Sequence, residues 1–302
     1  MTAGRRTAMT ASSLPAFGRM ALPGGPLPLT VSPGRGDLPR IQDAIDAAGD
    51  GGTIVVRAGV YRENLTVRQT PTILGEEGVF LEPADPKRPA MILDEAKDVA
   101  IHGPAVRMAT VGIAVWRGSC TISNCSIRAS ESCIRIVTFD ADTVRILHCV
   151  LCGDRGGVGV SLVGSGSAMV ARCDLASLAT AILVGVTGMN LVQNCTVESC
   201  FREILLSMTV HTDLLRNTIR GNCADGIRAD PVAFPADEGT VFIGGNTIHN
   251  NARWGLMLCG MDGSGVGASF GRIDGYGNDL SGNGRGRVCP KDLPLPEGLI
   301  AE

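Results

Sequence analysis

Two acidic residues, a histidine and an arginine lie close together in the chain between positions 203 and 230. Glu203 precedes the apolar run "ILLS", His211 follows in "SMTVHTD", and Arg228 and Asp230 belong to "GIRADP". A carboxylate or an imidazole can move a proton, and an arginine can stabilise the anion that remains after proton abstraction. These four residues are the candidate catalytic set, with His211 expected in a turn. A surface ion-pair cluster is the alternative interpretation.

Strand-sized apolar runs recur around these residues and predict which side chains point outward. The runs are "GIAVW", "CIRIV", "GVSLV", "AILVG", "EILLS", "GIRAD" and "GLMLC". Successive side chains of a strand point to opposite faces, so two inward residues flank one outward residue in each run. The predicted outward column is Ala114, Arg135, Ser161, Leu183, Leu205, Arg228 and Met257. The candidate substrate-binding residues in it are Arg135, Leu183, Leu205 and Met257. Its apolar middle requires cover from a substrate, the N-terminal segment or a second subunit.

A repeat in the sequence explains why these runs form one column. Aligned on Cys195, the segments "TISNCSI", "RILHCVL", "MVARCDL" and "LVQNCTV" share a cysteine, and "DLLRNTI", "FIGGNTI" and "DGYGNDL" have asparagine in its place. The aligned positions are 22 to 32 residues apart. Self-similarity at such a period is typical of a solenoid. Each period holds three short apolar runs bounded by turn residues, which predicts coils of three parallel strands.

The aligned cysteines indicate a structural column rather than a metal or redox site. Stacked coils bring equivalent residues about 4.8 Å apart, where cysteines fill one small inward space and asparagine amides link rung to rung. "CVLC" has C-x-x-C spacing, but residues three apart on an extended chain face opposite sides. No acidic cluster is dense enough to require calcium. We therefore expect neither a metal nor a cofactor.

One segment, "DLPRIQDAIDAAGDGG", has the pattern of an amphipathic helix over residues 37–49. Asp37 is placed to cap its start, and "GDGG" ends it. Its apolar stripe consists of Leu38, Ile41, Ala44, Ile45 and Ala48. Such a helix would cover the open end of the coil stack, which otherwise exposes core and strand edges.

The predicted organisation has three parts. Residues 1–36 form a flexible N-terminal segment, residues 37–288 form a single β-helix domain with the helical cap, and residues 289–302 form a C-terminal tail.

The stretch after the helix, "GGTIVVRAGVYRENLTVRQTPTILGEEG", resembles the opening of the pectin-lyase-like right-handed β-helix superfamily. The later "VFIGGNTIHNNARWGLML" resembles the generic repeat of alginate epimerases and related sugar-active proteins. Together the resemblance covers roughly residues 38–285. It implies an all-β, right-handed parallel β-helix whose active site lies along the outside of one sheet.

The chain departs from the catalytic motifs of those proteins. The D-F-I-F-G-type motif of pectin methylesterases is absent. The epimerase motif has a tyrosine before the glycine and a histidine after D-P, where this chain has Asp225 before Gly226 and Val232 after Pro231. The resemblance therefore implies the fold, and neither chemistry is carried over residue by residue.

The charge and the apolar runs of the sequence indicate which kinds of molecule the protein does not bind. The net charge is −3 with both signs dispersed, which gives no basic stripe for nucleic acid. No apolar run reaches the length of a membrane helix, and the first 25 residues lack the continuous apolar core of a signal peptide. Eleven cysteines without an export signal fit a reducing compartment. We expect a cytoplasmic protein whose partner is a small-molecule substrate or ligand, with no nucleic acid and no membrane.

The leading functional hypothesis is an intracellular pectin-lyase-like enzyme, a lyase or an isomerase. It would act on a sugar-like or polyhydroxylated small molecule by proton abstraction, leading to elimination, isomerisation or epimerisation. The long segments "DPVAFPADEGT" and "GMDGSGVGASFG" are where a rigid solenoid could build a pocket. The alternative is a non-catalytic β-helix that binds a ligand, or another subunit of a homo-oligomer, through its apolar outer face.

Overall fold

The computed structural model describes most of the chain. The described ranges are 27–34, 38–139, 142–186, 188–207, 211–229, 240–258, 272–291 and 295–301, without the side chains of Val186, Glu203 and Arg272. Within these ranges the chain forms one helix and 28 strands. No helix in this part of the chain has the length and hydrophobicity needed to cross a membrane.

The elements follow one another in chain order. The first fourteen strands and the helix are β1 (Leu29–Val31), α1 (Ile41–Ala48), β2 (Thr53–Val56), β3 (Gly59–Arg62), β4 (Leu65–Val67), β5 (Thr72–Gly75), β6 (Val79–Glu82), β7 (Met91–Asp94), β8 (Val99–His102), β9 (Ala105–Trp116), β10 (Cys120–Ser123), β11 (Ser126–Thr138), β12 (Thr143–Leu147), β13 (Val150–Cys152) and β14 (Val158–Gly164). The remaining strands are β15 (Ser167–Ala171), β16 (Asp174–Ala176), β17 (Thr180–Val186), β18 (Met189–Gln193), β19 (Thr196–Glu198), β20 (Arg202–Leu206), β21 (His211–Leu215), β22 (Thr218–Arg220), β23 (Ile227–Ala229), β24 (Thr240–Gly244), β25 (Thr247–His249), β26 (Trp254–Met257), β27 (Arg272–Tyr276) and β28 (Gly286–Cys289).

The strands stack in parallel into three faces, so the predicted parallel β-helix is confirmed. The first face is an 11-stranded sheet in the order β1-β2-β5-β8-β10-β12-β15-β18-β21-β24-β27. The second face contains β3, β6, β13, β16, β19, β22 and β25, and the third contains β4, β7, β14, β17, β20, β23, β26 and β28. The long strands β9 and β11 bend from the second face into the third and belong to both. The core fills the interior of the coil.

Alternation along the third face follows the predicted pattern. Ile134 and Ile136 are fully buried, and their neighbours in the next coil, Val160 and Leu162, are buried as well. Every predicted inward pair from β9 to the residue after β26 is buried. Each strand therefore places two apolar side chains in the core and leaves the residue between them on the outside.

From β10 to β25 the corner between the first and second faces has a constant length of two residues, whereas three residues separate β5 from β6. The first residue adopts a left-handed conformation and the second points inward. The left-handed positions are Asn124, His148, Arg172, Asn194, Arg216, Gly245 and Gly277, with φ between 53° and 62°. This conformation costs an L-residue about 1–2 kcal/mol, and glycine and asparagine adopt it most readily. The arginines and the histidine at this corner therefore carry local strain.

The inward residues of that corner form the predicted cysteine and asparagine column. Cys125, Cys149, Cys173 and Cys195 are buried free thiols. Hydrogen bonding to the preceding thiol, together with burial, raises the pKa of Cys149 and Cys173 to about 12. A thiol that stays protonated is a poor nucleophile and a poor metal ligand, which supports a structural role.

Asparagine continues the column in the last coils. Asn246 Oδ1 accepts the backbone N–H of Asn217 at 2.8 Å, and Asn246 Nδ2 donates to Asn278 Oδ1 at 2.9 Å. A second asparagine column, which the sequence analysis missed, links Asn222 to Asn251 at 2.9 Å and Asn251 to Asn283 at 3.0 Å. Both columns fix the register between coils through buried amides.

The N-terminal helix is capped by a residue from another coil. The helix begins at Ile41, and its buried side chains are Ile41, Ala44 and Ile45. Glu63 accepts the backbone N–H groups of Ile41 and Gln42 at 2.9 and 3.1 Å. Asp37, the predicted cap, lies outside the described residues. A carboxylate at this end satisfies otherwise unbonded N–H groups and complements the helix dipole.

Both predicted terminal segments contribute to the solenoid. β1, which falls inside the predicted N-terminal segment, pairs along its whole length with β2, and Val31 is fully buried. Near the C-terminus, the backbone of Asn278 donates to Leu299 at 3.0 Å, and the Leu299 side chain is buried. The described residues of the predicted tail therefore cover the last coil.

Chain length varies at the corner that leads from the third face back to the first. Residues 165–166 separate β14 from β15, whereas residues 230–239 and 258–271 fill the same place in the last coils. Differences in coil length are therefore concentrated beside the third face.

Candidate functional site

The outward residues of the third face stack as predicted. Arg135 pairs with Ala114 and Ser161, and Leu183 pairs with Leu205. Arg228 lies between Leu205 and Met257 in the register. The predicted substrate-binding residues therefore share one outer column with Arg228. We refer to this column and the outward residues immediately beside it as the third-face strip.

The two arginines of the strip have different environments. The Arg135 side chain is 35% exposed and forms an ion pair with Glu131, four residues earlier in the chain. Arg228 is only 7% exposed, although its backbone position faces outward. Arg228 therefore also supports the structure, because truncating a buried charged side chain leaves its neighbours unsatisfied. Leu183 and Leu205, between the arginines, are half-buried.

Trp116 is a candidate binding residue that the sequence analysis missed. It follows Ala114 by two residues, so it shares the outward face, and it is 42% exposed. Val137 and then the exposed Val163 stack beside it in the next coils. Nearby, the Arg117 guanidinium lies 5.0 Å from the ring centroid of Phe139. The sequence did contain a signal for Trp116, because it ends the run "GIAVW" and lies two residues after Ala114, on the same side of the strand.

The described candidate catalytic residues lie at different places along the third and first faces, with Arg228 in the middle of β23 and His211 at the start of β21. His211 is exposed and is the first residue of β21, where it pairs with Met189 and Thr240. His211 therefore belongs to a strand of the first face. The prediction that it lies in a turn is wrong. The backbone of Glu203 lies in β20, but its side chain is outside the described part, as is all of Asp230.

Two buried polar groups lie in the same coil as Arg228. Asp225 is fully buried, and its Oδ1 accepts the backbone N–H of Trp254 at 3.0 Å. Its Oδ2 has no hydrogen-bond partner among the described residues, and neither does the buried hydroxyl of Thr212. Asp225 thus contributes to the corner between the second and third faces rather than to the outer surface.

No group of three or more histidine, cysteine, aspartate or glutamate side chains with metal-binding geometry occurs among the described residues. The chemistry available in this part is therefore an aromatic surface at Trp116, arginine cations at Arg135 and Arg228, and an imidazole at His211.

Comparison with known proteins supports the fold. Alginate lyase from Paenibacillus sp. str. FPU-7 superposes with a TM-score of 0.62 at 13% identity, over 87% of this chain and 96% of that chain. Pectin methylesterase from Aspergillus niger gives 0.51 at 14% identity, over 93% and 95%. ORF18 of Geobacillus virus E2 gives 0.51 at 14% identity, over 85% and 59%. At these identities the likeness concerns the fold alone.

No curated protein gives a significant sequence match. Residues 111–283 match the family model described as "Right handed beta helix region", which covers more than half of the chain. The chain therefore belongs to this right-handed β-helix family, as its three parallel faces and its asparagine columns lead one to expect.

Proposed function

We propose that this protein is a carbohydrate-active enzyme that binds a sugar-like, polyhydroxylated substrate on the third-face strip and abstracts a proton from it. The observation that carries the proposal is the register, which places an exposed tryptophan and an arginine on neighbouring rungs of one rigid sheet. The alginate lyase and the pectin methylesterase that share the fold add support, because both names denote enzymes of polysaccharides.

The strip has complementary groups for an acidic sugar. The face of the Trp116 indole can stack on the apolar C–H face of a sugar ring, and the Arg135 guanidinium can bind a carboxylate in a bidentate manner. Arg228 lies five coils beyond Trp116, roughly 24 Å at about 4.8 Å per rung. The strip is therefore long enough for several linked sugar units as well as for a small molecule.

The proposed reaction begins at the carbon next to the substrate carboxylate. A base removes the proton there, and an arginine stabilises the negative charge that spreads into the carboxylate. In elimination, the electron pair of the broken C–H bond forms a carbon–carbon double bond. The C–O bond on the adjacent carbon breaks, and its oxygen leaves with the electrons of that bond and takes up a proton. In epimerisation, a proton returns to the opposite face of the same carbon. His211 is the candidate base in the described part, with Glu203 and Asp230 as the candidate carboxylates.

The experiment is a screen of uronic-acid oligomers, nucleotide sugars and other polyhydroxylated acids for an elimination product or a mass-neutral isomer. Trp116→Ala and Arg135→Gln should raise KM at least 10-fold because they remove binding groups. His211→Gln should lower kcat by about 100-fold or more, as expected for loss of a proton-transfer group. Arg57→Gln is the matched charge control, because Arg57 is an exposed arginine paired with a glutamate, as Arg135 is, but lies at the corner between the first and second faces. Full activity in all three variants would exclude the strip.

The alternative is a non-catalytic binding protein or scaffold. It is favoured by the strip's central column, whose described residues include no carboxylate and have Leu183 and Leu205 in the middle. In that case the apolar centre would contact a ligand or a second subunit of a homo-oligomer. Leu183→Asp should then abolish ligand binding or dissociate the oligomer, measured by light scattering after size-exclusion chromatography, while no substrate in the screen is turned over.

A further inference from the structure

The outer surface of the first face carries few charges in its middle coils. Alternate residues of each strand point away from the core, so the outward side chains form three columns across the strands. From β12 to β21 the central column consists of Arg145, Met169, Leu191 and Asp213, which are adjacent in the register. The two columns beside it consist of Thr143, Ser167, Met189 and His211, and of Leu147, Ala171, Gln193 and Leu215. Arg145 and Asp213 are therefore the two fixed charges on a surface of mostly apolar and small side chains.

This surface differs from the outside of the second face. There Arg220 forms an ion pair with Glu198, and Arg62 forms one with Glu82. On the first face Met189 is 72% exposed, and the leucines of the three columns are half-buried. Apolar side chains that a protein leaves together on one face are typical of a surface that contacts another protein.

The central column is complementary to its own reverse. Arg145 and Asp213 lie at its two ends, three rungs or roughly 14 Å apart at about 4.8 Å per rung. A second copy that packs face to face with antiparallel solenoid axes is related by a twofold axis that runs parallel to the strands, between β15 and β18. This axis places Arg145 opposite Asp213 of the second copy and Met169 opposite Leu191 of the second copy. The ion pair and the apolar contact each form twice, as in an isologous interface.

The same axis also matches the coils on either side. Thr121 in β10 comes opposite Phe242 in β24, and His102 in β8 comes opposite Tyr276 in β27, so a smaller side chain meets a larger ring in each case. The contact then spans the eight strands from β8 to β27. Their flat area is roughly 38 Å by 17 Å, or about 650 Å² per copy, at about 4.8 Å per strand and 3.4 Å per residue. That area is near the roughly 800 Å² per partner of a standard stable interface.

We propose that the first face joins two copies of this chain into a twofold dimer with antiparallel solenoid axes. The charges select this arrangement, because parallel axes would set Arg145 against Arg145 and Asp213 against Asp213 of the second copy, and like charges that face each other across an interface are unfavourable. A second copy is favoured over an unrelated partner, since the column pairs with its own reverse. This inference goes beyond the proposed function, because it concerns a different face from the third-face strip.

The test is light scattering after size-exclusion chromatography of the full chain over a dilution series, in which the wild type should be a dimer. Arg145→Asp sets two aspartates against each other at both ends of the contact and should raise the dimer dissociation constant at least about 100-fold, and Asp213→Arg should do the same with two arginines. A mixture of the two single variants should form a heterodimer, and the double variant Arg145→Asp/Asp213→Arg should dimerise like the wild type. Because the two positions are roughly 14 Å apart within one chain, this rescue requires a contact between copies.

Arg220→Asp is the matched control, because it reverses an exposed arginine of the second face and should leave the dimer intact. Leu183→Asp, on the third-face strip, should also leave it intact, which separates this dimer from an oligomer formed through the strip. Arg145 and Asp213 are both exposed, so the far-UV circular dichroism of the single variants should match the wild type. A wild-type monomer, a dimer that survives Arg145→Asp, a dimer that Leu183→Asp dissociates, or a mixture of the single variants that stays monomeric would each overturn the proposal.

Discussion

Asn246 sits in the middle of the first asparagine column, and its truncation is a direct test of what that column contributes to stability. Its Oδ1 accepts hydrogen bonds from the backbone N and the Nδ2 of Asn217, at 2.8 and 3.0 Å. Its Nδ2 donates to the Leu214 carbonyl at 2.8 Å and to Asn278 Oδ1 at 2.9 Å. Asn246→Ala removes all four bonds, although Asn278 Oδ1 still accepts the backbone N–H of residue 246 and Asn217 Nδ2 still donates to the Val192 carbonyl.

At a net value of about 1 kcal/mol per hydrogen bond, the loss is about 4 kcal/mol of unfolding free energy. For a domain of this size that corresponds to a fall in Tm of about 8 °C, at about 2 °C per kcal/mol. Asn246→Cys is the matched comparison, because cysteine fills the same place in earlier coils and its thiol can donate weakly to the Leu214 carbonyl. We expect it to lose about half as much.

The assay is denaturant unfolding followed by circular dichroism, with the midpoint and the slope fitted separately. If the free energy of unfolding of the Ala variant lies within about 0.5 kcal/mol of the wild-type value, at an unchanged slope, the column does not stabilise the stacked coils. Equal losses for Ala and Cys would show that the amide bonds to Asn217 and Asn278 dominate over the bond to the carbonyl.

Three further outcomes follow from the core and the corners. Burial raises the pKa of Cys120 and Cys133 to about 12. The unfolded chain therefore ionises first, near the ordinary thiol pKa of about 8.5. The stability that the two protonated thiols contribute is complete below that pH and is lost as the pH rises toward 12. The midpoint of unfolding should therefore decrease as the pH is raised from 7 to 10. The decrease should be smaller in the double variant Cys120→Ala/Cys133→Ala. Ile45→Asp places a charge against the core under α1 and should cost several kcal/mol; an unchanged thermal transition would mean that the helix is not docked there. Gly226→Ala should be strongly destabilising because its Cβ would lie 2.2 Å from Ile248 Cγ2, whereas at Gly185 the nearest atom would be 3.3 Å away and alanine should cost less; similar expression and melting of the two variants would contradict the close packing around Gly226.

Much of the fold was predictable because the solenoid repeats one local rule. Strand alternation fixed which residues of the third face point inward, and the cysteine and asparagine alignment located the tight corner. The second asparagine column was equally visible, since Asn222, Asn251 and Asn283 recur with the same spacing as the first. It was missed because the alignment was anchored on Cys195 alone.

The parts that escaped prediction depend on contacts between distant segments. Glu63 caps the helix from a different coil, and no local signal links it to Ile41. The pairing of β1 with β2 likewise depends on where the helix turns the chain. Arg228 points outward, as its position in the strand predicts, yet it is buried. Strand alternation predicts the direction of a side chain, whereas its burial depends on the neighbouring segments that pack over it.

From β10 onward, the two-residue corner between the first and second faces resists insertions, whereas the variable corner between the third and first faces accepts them. An insertion at the tight corner would displace a buried amide or thiol from its column and disturb every later coil. An insertion between the third and first faces leaves the stacking intact, as the segments 230–239 and 258–271 show by their length. The longest connections therefore border the third face, so the parts of the chain that vary most in length lie beside the candidate site. The same asymmetry marks that corner as the place to graft a foreign loop onto this scaffold.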